Sequence, residues 1–246
     1  KIQNVNKNVD PIRDIEIIET EILLSDLESL QKRIEKSNKK KLEKEELNFF
    51  EECLNLINSG KNPEELKKKF SKNLTKKSGL LSLKPKIIVC NVDENSLSEG
   101  NKYSDVCKKR FSNKNVIVIC ADIENQIMSL QTKDREDFML ESGIKNTGLN
   151  NLIKTGYNIL GLNTFFSSTP KETRAWTIEK NSKAVDAAGV IHTDFKKKFI
   201  RAETVSHDDF IKYKGFNECK VAGKLRIEGK DYIVKDGDVI FFRVGA

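Results

Sequence analysis

Ile87-Ile88-Val89-Cys90 is a short, unbroken apolar run, three of its four members β-branched, entered from Pro85-Lys86 and left through Asn91-Val92-Asp93-Glu94. A run of this length with no polar residue alternating inside it reads as a strand buried on both faces of a parallel sheet. A second such run, Val116 to Cys120, follows after a helical stretch at 101–111. Strand, helix and strand in that order make the closing half of a Rossmann-like α/β domain. Ligands of open α/β sheets bind outside the carboxyl ends of the strands, so the loop carrying Asn91 and Glu94 is where one would be met.

Upstream, Asp10-Pro11 marks a helix start. Asp10 supplies an N-cap acceptor, Pro11 suits the first helical position, and Asp14 and Glu16 lie near the positive end of the dipole. Ile15, Ile18, Ile22, Leu23, Leu27, Leu30 and Ile34 carry an apolar stripe towards Lys36–Lys41, the expected hairpin tip. Leu47, Phe50, Leu54 and Ile57 form one face of a second helix, which Gly60 stops. Two helices with a short polar connection predict an antiparallel helical hairpin. Asn62-Pro63-Glu64-Glu65 predicts one further helix running through Leu66, Phe70 and Leu74, with Asn62 as cap and Glu65 at the capping-box position. Helices are expected again at 133–142 and 149–160, the latter introduced by Thr147-Gly148.

Gly161 marks a change of module. Beyond it the strand-like runs are short: Thr164–Ser167, Arg174–Ile178, Phe199–Val205, Asp231–Val234 and Val239–Val244. Lys183–Ala188 and Cys219–Gly223 read as short helices, and Asp236-Gly237-Asp238 as a tight hairpin turn between the last two strands. Short mixed strands around a helix suit a small α+β module of β-grasp type. The expected division is a connector at 1–12, the hairpin domain at 13–82, the Rossmann-like part at 83–160 and the β-grasp module at 162–246.

Composition narrows the class. No apolar run approaches the ~20 residues that a membrane-spanning helix needs, and no signal-peptide pattern opens the chain. Five scattered cysteines without Cys-x-x-Cys spacing, and two histidines, argue against a zinc site and for reduced thiols in a cytoplasmic protein. The net charge of +7 is concentrated. Residues 61–86 hold nine Lys against two Glu, a local excess equal to that of the whole chain. Lys67, Lys68, Lys69 and Lys72 in that segment are either a solvated basic face or a contact for nucleic-acid phosphates.

Asn91-x-x-Glu94 after a buried strand is similar to the base-reading Asn-x-x-Asp loop of P-loop GTPases, with Val92 where those proteins carry Lys. Adenine has no 2-amino group, and the longer Glu94 carboxylate suggests a site no longer built for guanine. Cys120-Ala121 looks like the next loop of that family, which meets the base through its backbone. Further matches follow in Ala175-Trp176-Thr177-Ile178, Gly189–Phe195, Phe199–Glu203 and Gly229–Val239. Over essentially its whole length the chain resembles the Obg-like ATPases of the YchF subfamily. That resemblance names the last module a ubiquitin-like TGS domain. It implies ATP binding and hydrolysis, with GTP as an alternative substrate, and a monomer bound to the ribosome, its large subunit and ribosomal RNA.

The chain contains no G-x-x-x-x-G-K-[ST]. It is expected to lack the part of the family that holds the phosphates and Mg²⁺, and to be inactive as a hydrolase by itself. The expected base contacts are Asn91, Val92, Glu94, Cys120 and Ala121, with Lys67, Lys68, Lys69 and Lys72 for RNA, no catalytic residue and no metal ligand. A non-enzymatic ribosome- or RNA-binding module is the alternative. Trp176 is expected in the core rather than as a stacking platform. His192, beside Thr193 and Asp194, is expected to bond to nearby backbone rather than serve a catalytic triad.

Overall fold

The computed structural model describes residues 9–37, 43–111, 115–144, 146–169 and 171–245. Two compact units divide the chain, Lys1–Leu152 and Ile153–Ala246.

In the first unit, α1 (Pro11–Ser37) starts where Asp10 Oδ1 accepts the Arg13 N–H at 3.1 Å. It packs against α2 (Lys44–Asn58), whose exit is turned by Gly60 in the left-handed region, φ +74°. Most of the expected hairpin tip lies outside the described residues. Leu30, Phe49, Phe50, Cys53 and Ile57 fill the seam, joined by Leu66, Phe70, Leu80 and Leu83 from the segment that follows. Phe49 and Phe70 meet edge to face at 5.0 Å between centroids. The buried carboxylate of Asp26 accepts the Leu81 and Ser82 N–H groups at 2.9 and 2.8 Å, which pins the approach to the sheet onto α1.

The single helix expected from Asn62 to Leu74 is two pieces. A 3-10 turn at Pro63–Lys68 is capped by Asn62, and α3 (Lys72–Ser78) is started afresh by Ser71, whose Oγ accepts the Leu74 N–H at 3.2 Å. Burying Phe70 against Phe49 turns the chain between them, and a serine there offers the new helix a cap that competes with continuation of the old one.

Strand β1 (Ile88–Asn91) runs parallel to β2 (Val116–Ile119), with α4 (Lys102–Arg110) between them in sequence. Asn101 and Ser104 close a capping box at the start of α4. β1 is not buried on both faces: Ile88 and Cys90 are half-buried, Val89 is 42% exposed and Asn91 is exposed. Among the described residues its sheet has two strands, and the Val89 face carries no second layer. Helices α5 (Ala121–Ser129), α6 (Thr132–Glu141) and α7 (Gly148–Leu160) follow.

The second unit holds β3 (Leu162–Ser168), β4 (Thr173–Glu179), α8 (Ala184–Ile191), α9 (Thr193–Lys197), β5 (Phe199–Ser206), α10 (His207–Tyr213), α11 (Phe216–Val221), β6 (Arg226–Glu228) and β7 (Asp238–Val244). The sheet order is β4-β3-β7-β5-β6, with β3 and β7 parallel and the other neighbours antiparallel. Phe165, Ile178, Ala187, Ala188, Ala202, Val234, Ile240 and Phe242 form its core under α8.

Two expectations fail here. Asp231–Val234 is not a strand, only Ile233 making an isolated bridge to Lys183, and the strand before β7 is β6, which pairs with β5. The Asp236–Asp238 turn therefore closes no hairpin. It is held by β3 instead: Asp236 Oδ1 accepts the Thr164 N–H at 2.7 Å, and Gly237, at φ +81°, donates its N–H to the Thr164 carbonyl at 2.8 Å. The helix expected at Cys219–Gly223 begins earlier, at Phe216, because Phe216 packs on Phe210 and Phe241. Among the described residues no helix is long and apolar enough to cross a membrane.

Candidate functional site

At the carboxyl end of the parallel pair, the two loops are joined by one side chain. Asn91 is the last residue of β1, and its Oδ1 accepts the N–H of Ala121, the first residue of α5, at 3.0 Å. A carboxamide has two donors besides that oxygen, and Nδ2 makes no hydrogen bond among the described residues. Val92 donates its N–H to the Ile119 carbonyl at 2.8 Å and is 3% exposed, so its side chain belongs to the core and not to a ligand surface. Cys120 is likewise buried, at the N-cap of α5 and packed with Ile123 and Ile127. Ala121 is exposed.

Glu94 begins a 3-10 turn, Glu94–Ser96, capped by Asp93, whose Oδ1 accepts the Ser96 N–H at 3.0 Å. Its own carboxylate is exposed and makes no hydrogen bond or ion pair among the described residues. It rims a cavity of about 550 Å³ whose lining includes Leu97, Val118, Ile123, Glu124 and Gly148. The structure thus brings together Asn91 and Ala121 directly, places Glu94 at the mouth of a neighbouring cavity, and withdraws the side chains of Val92 and Cys120. Beneath Asn91, burial and the adjacent Cys107 thiol push Cys90 up to about 11, which keeps it a neutral thiol at physiological pH.

The four lysines divide. Lys67 pairs with Glu64 at 3.0 Å, and Lys69 with Glu52 at 2.6 Å while lying over the Phe70 ring. Lys68 and Lys72 are exposed and have no carboxylate partner among the described residues. In the second unit the His192 ring nitrogen accepts the Asp194 N–H at 3.2 Å and caps α9. Trp176 is half-buried against the core, its indole N–H donating to Ser167 Oγ at 2.9 Å. Glu124 was invisible in the sequence: it accepts from the first two amides of α7, far along the chain.

Two joined loops at the end of a parallel strand pair, followed by a five-stranded mixed sheet, define a mixed α/β protein, and a solved structure shares its overall fold. The YchF GTPase of Schizosaccharomyces pombe superposes with a TM-score of 0.77 at 31% identity, covering 99% of this chain and 68% of that one. The family model YchF-GTPase_C, described as a protein of unknown function (DUF933), matches residues 162–245. The Ribosome-binding ATPase YchF of Haemophilus ducreyi is 42% identical over 250 residues, 98% of this chain and 69% of that protein. Its namesake in Escherichia coli O157:H7 is 43% identical over 249 residues, 98% of this chain and 68% of that protein. The chain belongs to the YchF family.

Proposed function

We propose that this chain carries the base-reading wall of a ribosome-associated nucleotide hydrolase, an ATPase with GTP as the alternative substrate. The observation that carries the reading is the hydrogen bond from Ala121 N–H to Asn91 Oδ1, which braces the two loops and leaves Asn91 Nδ2 to donate to a purine ring nitrogen. Glu94 selects against the guanine edge, and Cys120 and Ala121 contribute backbone. Val92 acts by anchoring its loop to Ile119. The names of the relatives, ribosome-binding ATPases, support the activity and the partner.

In this reading residues 83–160 are the closing part of a Rossmann-like P-loop domain, 13–82 a helical hairpin inserted in it after a connector at 1–12, and 162–246 a TGS domain. The protein is a cytoplasmic monomer that meets the large ribosomal subunit and its RNA. Among the described residues no three His, Cys, Asp or Glu side chains are grouped to hold a metal ion, and no step is assigned to Mg²⁺. In this reading the phosphates and Mg²⁺ are held outside residues 1–246, and purified 1–246 should release no phosphate from ATP above an Asn91→Ala control.

Competition binding of ATP against GTP tests the base wall. Glu94→Asp, in protein that binds nucleotide, should move preference towards GTP, and an unchanged ratio would sink the assignment of Glu94. The second reading, a ribosome- or RNA-binding module without turnover, is favoured by one observation: Lys68 and Lys72 have no carboxylate partner among the described residues.

A further inference from the structure

Glu124 lies one helical turn after Ala121 and is committed to a different helix. Its Oε1 accepts the Gly148 N–H and its Oε2 the Leu149 N–H at 3.2 Å. These are the first two amides of the 13-residue α7, groups with no partner inside the helix, and the carboxylate meets them at the positive end of its dipole. Thr147 Oγ1 takes the Asn150 N–H at 3.1 Å, so the first turn is closed.

Gly148 presses the same junction from below. A Cβ there would stand 2.5 Å from Ile119 Cγ2 and 2.9 Å from Glu124 Oε1, so one of those side chains would have to shift. Ile119 is also the residue whose carbonyl accepts the Val92 N–H. Both loops of the candidate base wall therefore converge on the start of α7: one through Val92 and Ile119, the other through Ala121 and one turn of α5. The boundary between the two compact units falls inside this same helix, after Leu152.

We propose that Glu124 is a positioning residue of the base site: by clamping α5 to the start of α7 it holds Ala121, and through it Asn91, in the arrangement that receives a purine. The proposal rests on reading Asn91 and Ala121 as the base wall. Base binding and the order of the first turn of α7 then form one linked equilibrium, and linkage between binding and order is reciprocal.

Amide hydrogen exchange and NMR shifts on nucleotide-binding protein that contains residues 1–246, with and without saturating ATP, test it. Glu124→Gln leaves one acceptor oxygen where there were two and removes the charge. Losing a charge-assisted hydrogen bond should speed exchange at Gly148 and Leu149 about tenfold, and exchange at Ala121 should quicken with them. Thr147→Ala weakens the same helix start without touching α5, and should speed Asn150 while leaving Ala121 as it was. In the wild type, ATP should shift Asn91 and Ala121 and, together with them, Gly148 and Leu149. Unchanged exchange at Ala121 in Glu124→Gln, or ATP shifts at Asn91 and Ala121 with none at Gly148 and Leu149, overturns the link while leaving the base wall standing. No ATP shift at Asn91 or Ala121 overturns the base wall, and the role of Glu124 in it falls too.

Discussion

The loop after β1 and the turn before β7 each place carboxylates at a strand end, and the two regions treat them in opposite ways. Asp238 opens β7, is 2% exposed, and accepts from Arg226 Nη2 at 3.1 Å, the Tyr232 hydroxyl at 2.7 Å and the Lys235 N–H at 2.9 Å. Burial, then the bond to Asp238, push the Tyr232 hydroxyl up to about 12. Both oxygens of that carboxylate are answered from within the fold. Glu94, by contrast, is exposed and unpartnered among the described residues, while the backbone around it is fixed by Asp93, Val92 and Asn91. A carboxylate saturated by its own chain contributes to stability. One held out on a braced loop contributes nothing to the fold and remains available to a ligand.

The sharpest way to break that contrast is Asp238→Ala. It strands the Tyr232 hydroxyl and the Lys235 amide and leaves Arg226 with Glu228 as its remaining carboxylate, and losing hydrogen bonds to a buried charged group costs about 1.5–3 kcal/mol. Urea unfolding followed by Trp176, the single tryptophan, reads the second unit directly. A loss below about 1 kcal/mol would show that Asp238 is no more structural than Glu94.

A smaller effect is expected at Glu203 on β5. The hydrogen bond from Arg243, against the opposing pull of burial and with Arg201 assisting, holds its carboxyl below the ordinary carboxylate range. The folded pKa thus lies below the unfolded one. The stabilisation is complete above the unfolded value, about 4.3, and is lost as pH falls through it towards the folded value. Glu203→Gln should cost about 1 kcal/mol at neutral pH and flatten the acid limb of stability. An acid limb identical to that of the wild type would remove Glu203 from the set of structural carboxylates.

What could be read from the sequence follows how far each partner lies along the chain. The caps at Asp10, Asn62 and Thr147 answer amides two or three residues on, so their spacing announced them. The strand ending at Asn91 was visible in its own apolar run, as was the loop beyond it. The Asp236 turn looked like a hairpin because its residues suit one, but its partner is Thr164, 72 residues away. Asp26 sits on the helix α1 as one acid among many, and only folding brings it to amides 55 and 56 residues downstream. Glu124 is the same case, its partners 24 and 25 residues on. Val92 and Cys120 lie in the two loops that Asn91 joins, yet their side chains are turned inward, which no local pattern reveals.

The lysines of residues 67–72 carry the contrast down to its smallest expected effect, because committed and available charges alternate within one segment. Lys67 and Lys69 each hold a glutamate, whereas Lys68 and Lys72 hold none among the described residues. If this segment meets ribosomal RNA, each phosphate neutralised releases condensed counterion, and log affinity falls linearly with log salt. Lys68→Gln with Lys72→Gln should flatten that slope by about 0.7–0.9 for each phosphate no longer neutralised. Lys67→Gln with Lys69→Gln should change it less, since Glu64 and Glu52 already offset those charges and are freed when the lysines go. Stability should move by no more than ~0.5 kcal/mol in either pair, as exposed substitutions do. Ribosome co-sedimentation across a salt series reads both variants. Equal slopes in the two pairs would mean that intramolecular pairing does not decide which charges are available, and slopes identical to the wild type in both would leave the segment a solvated face.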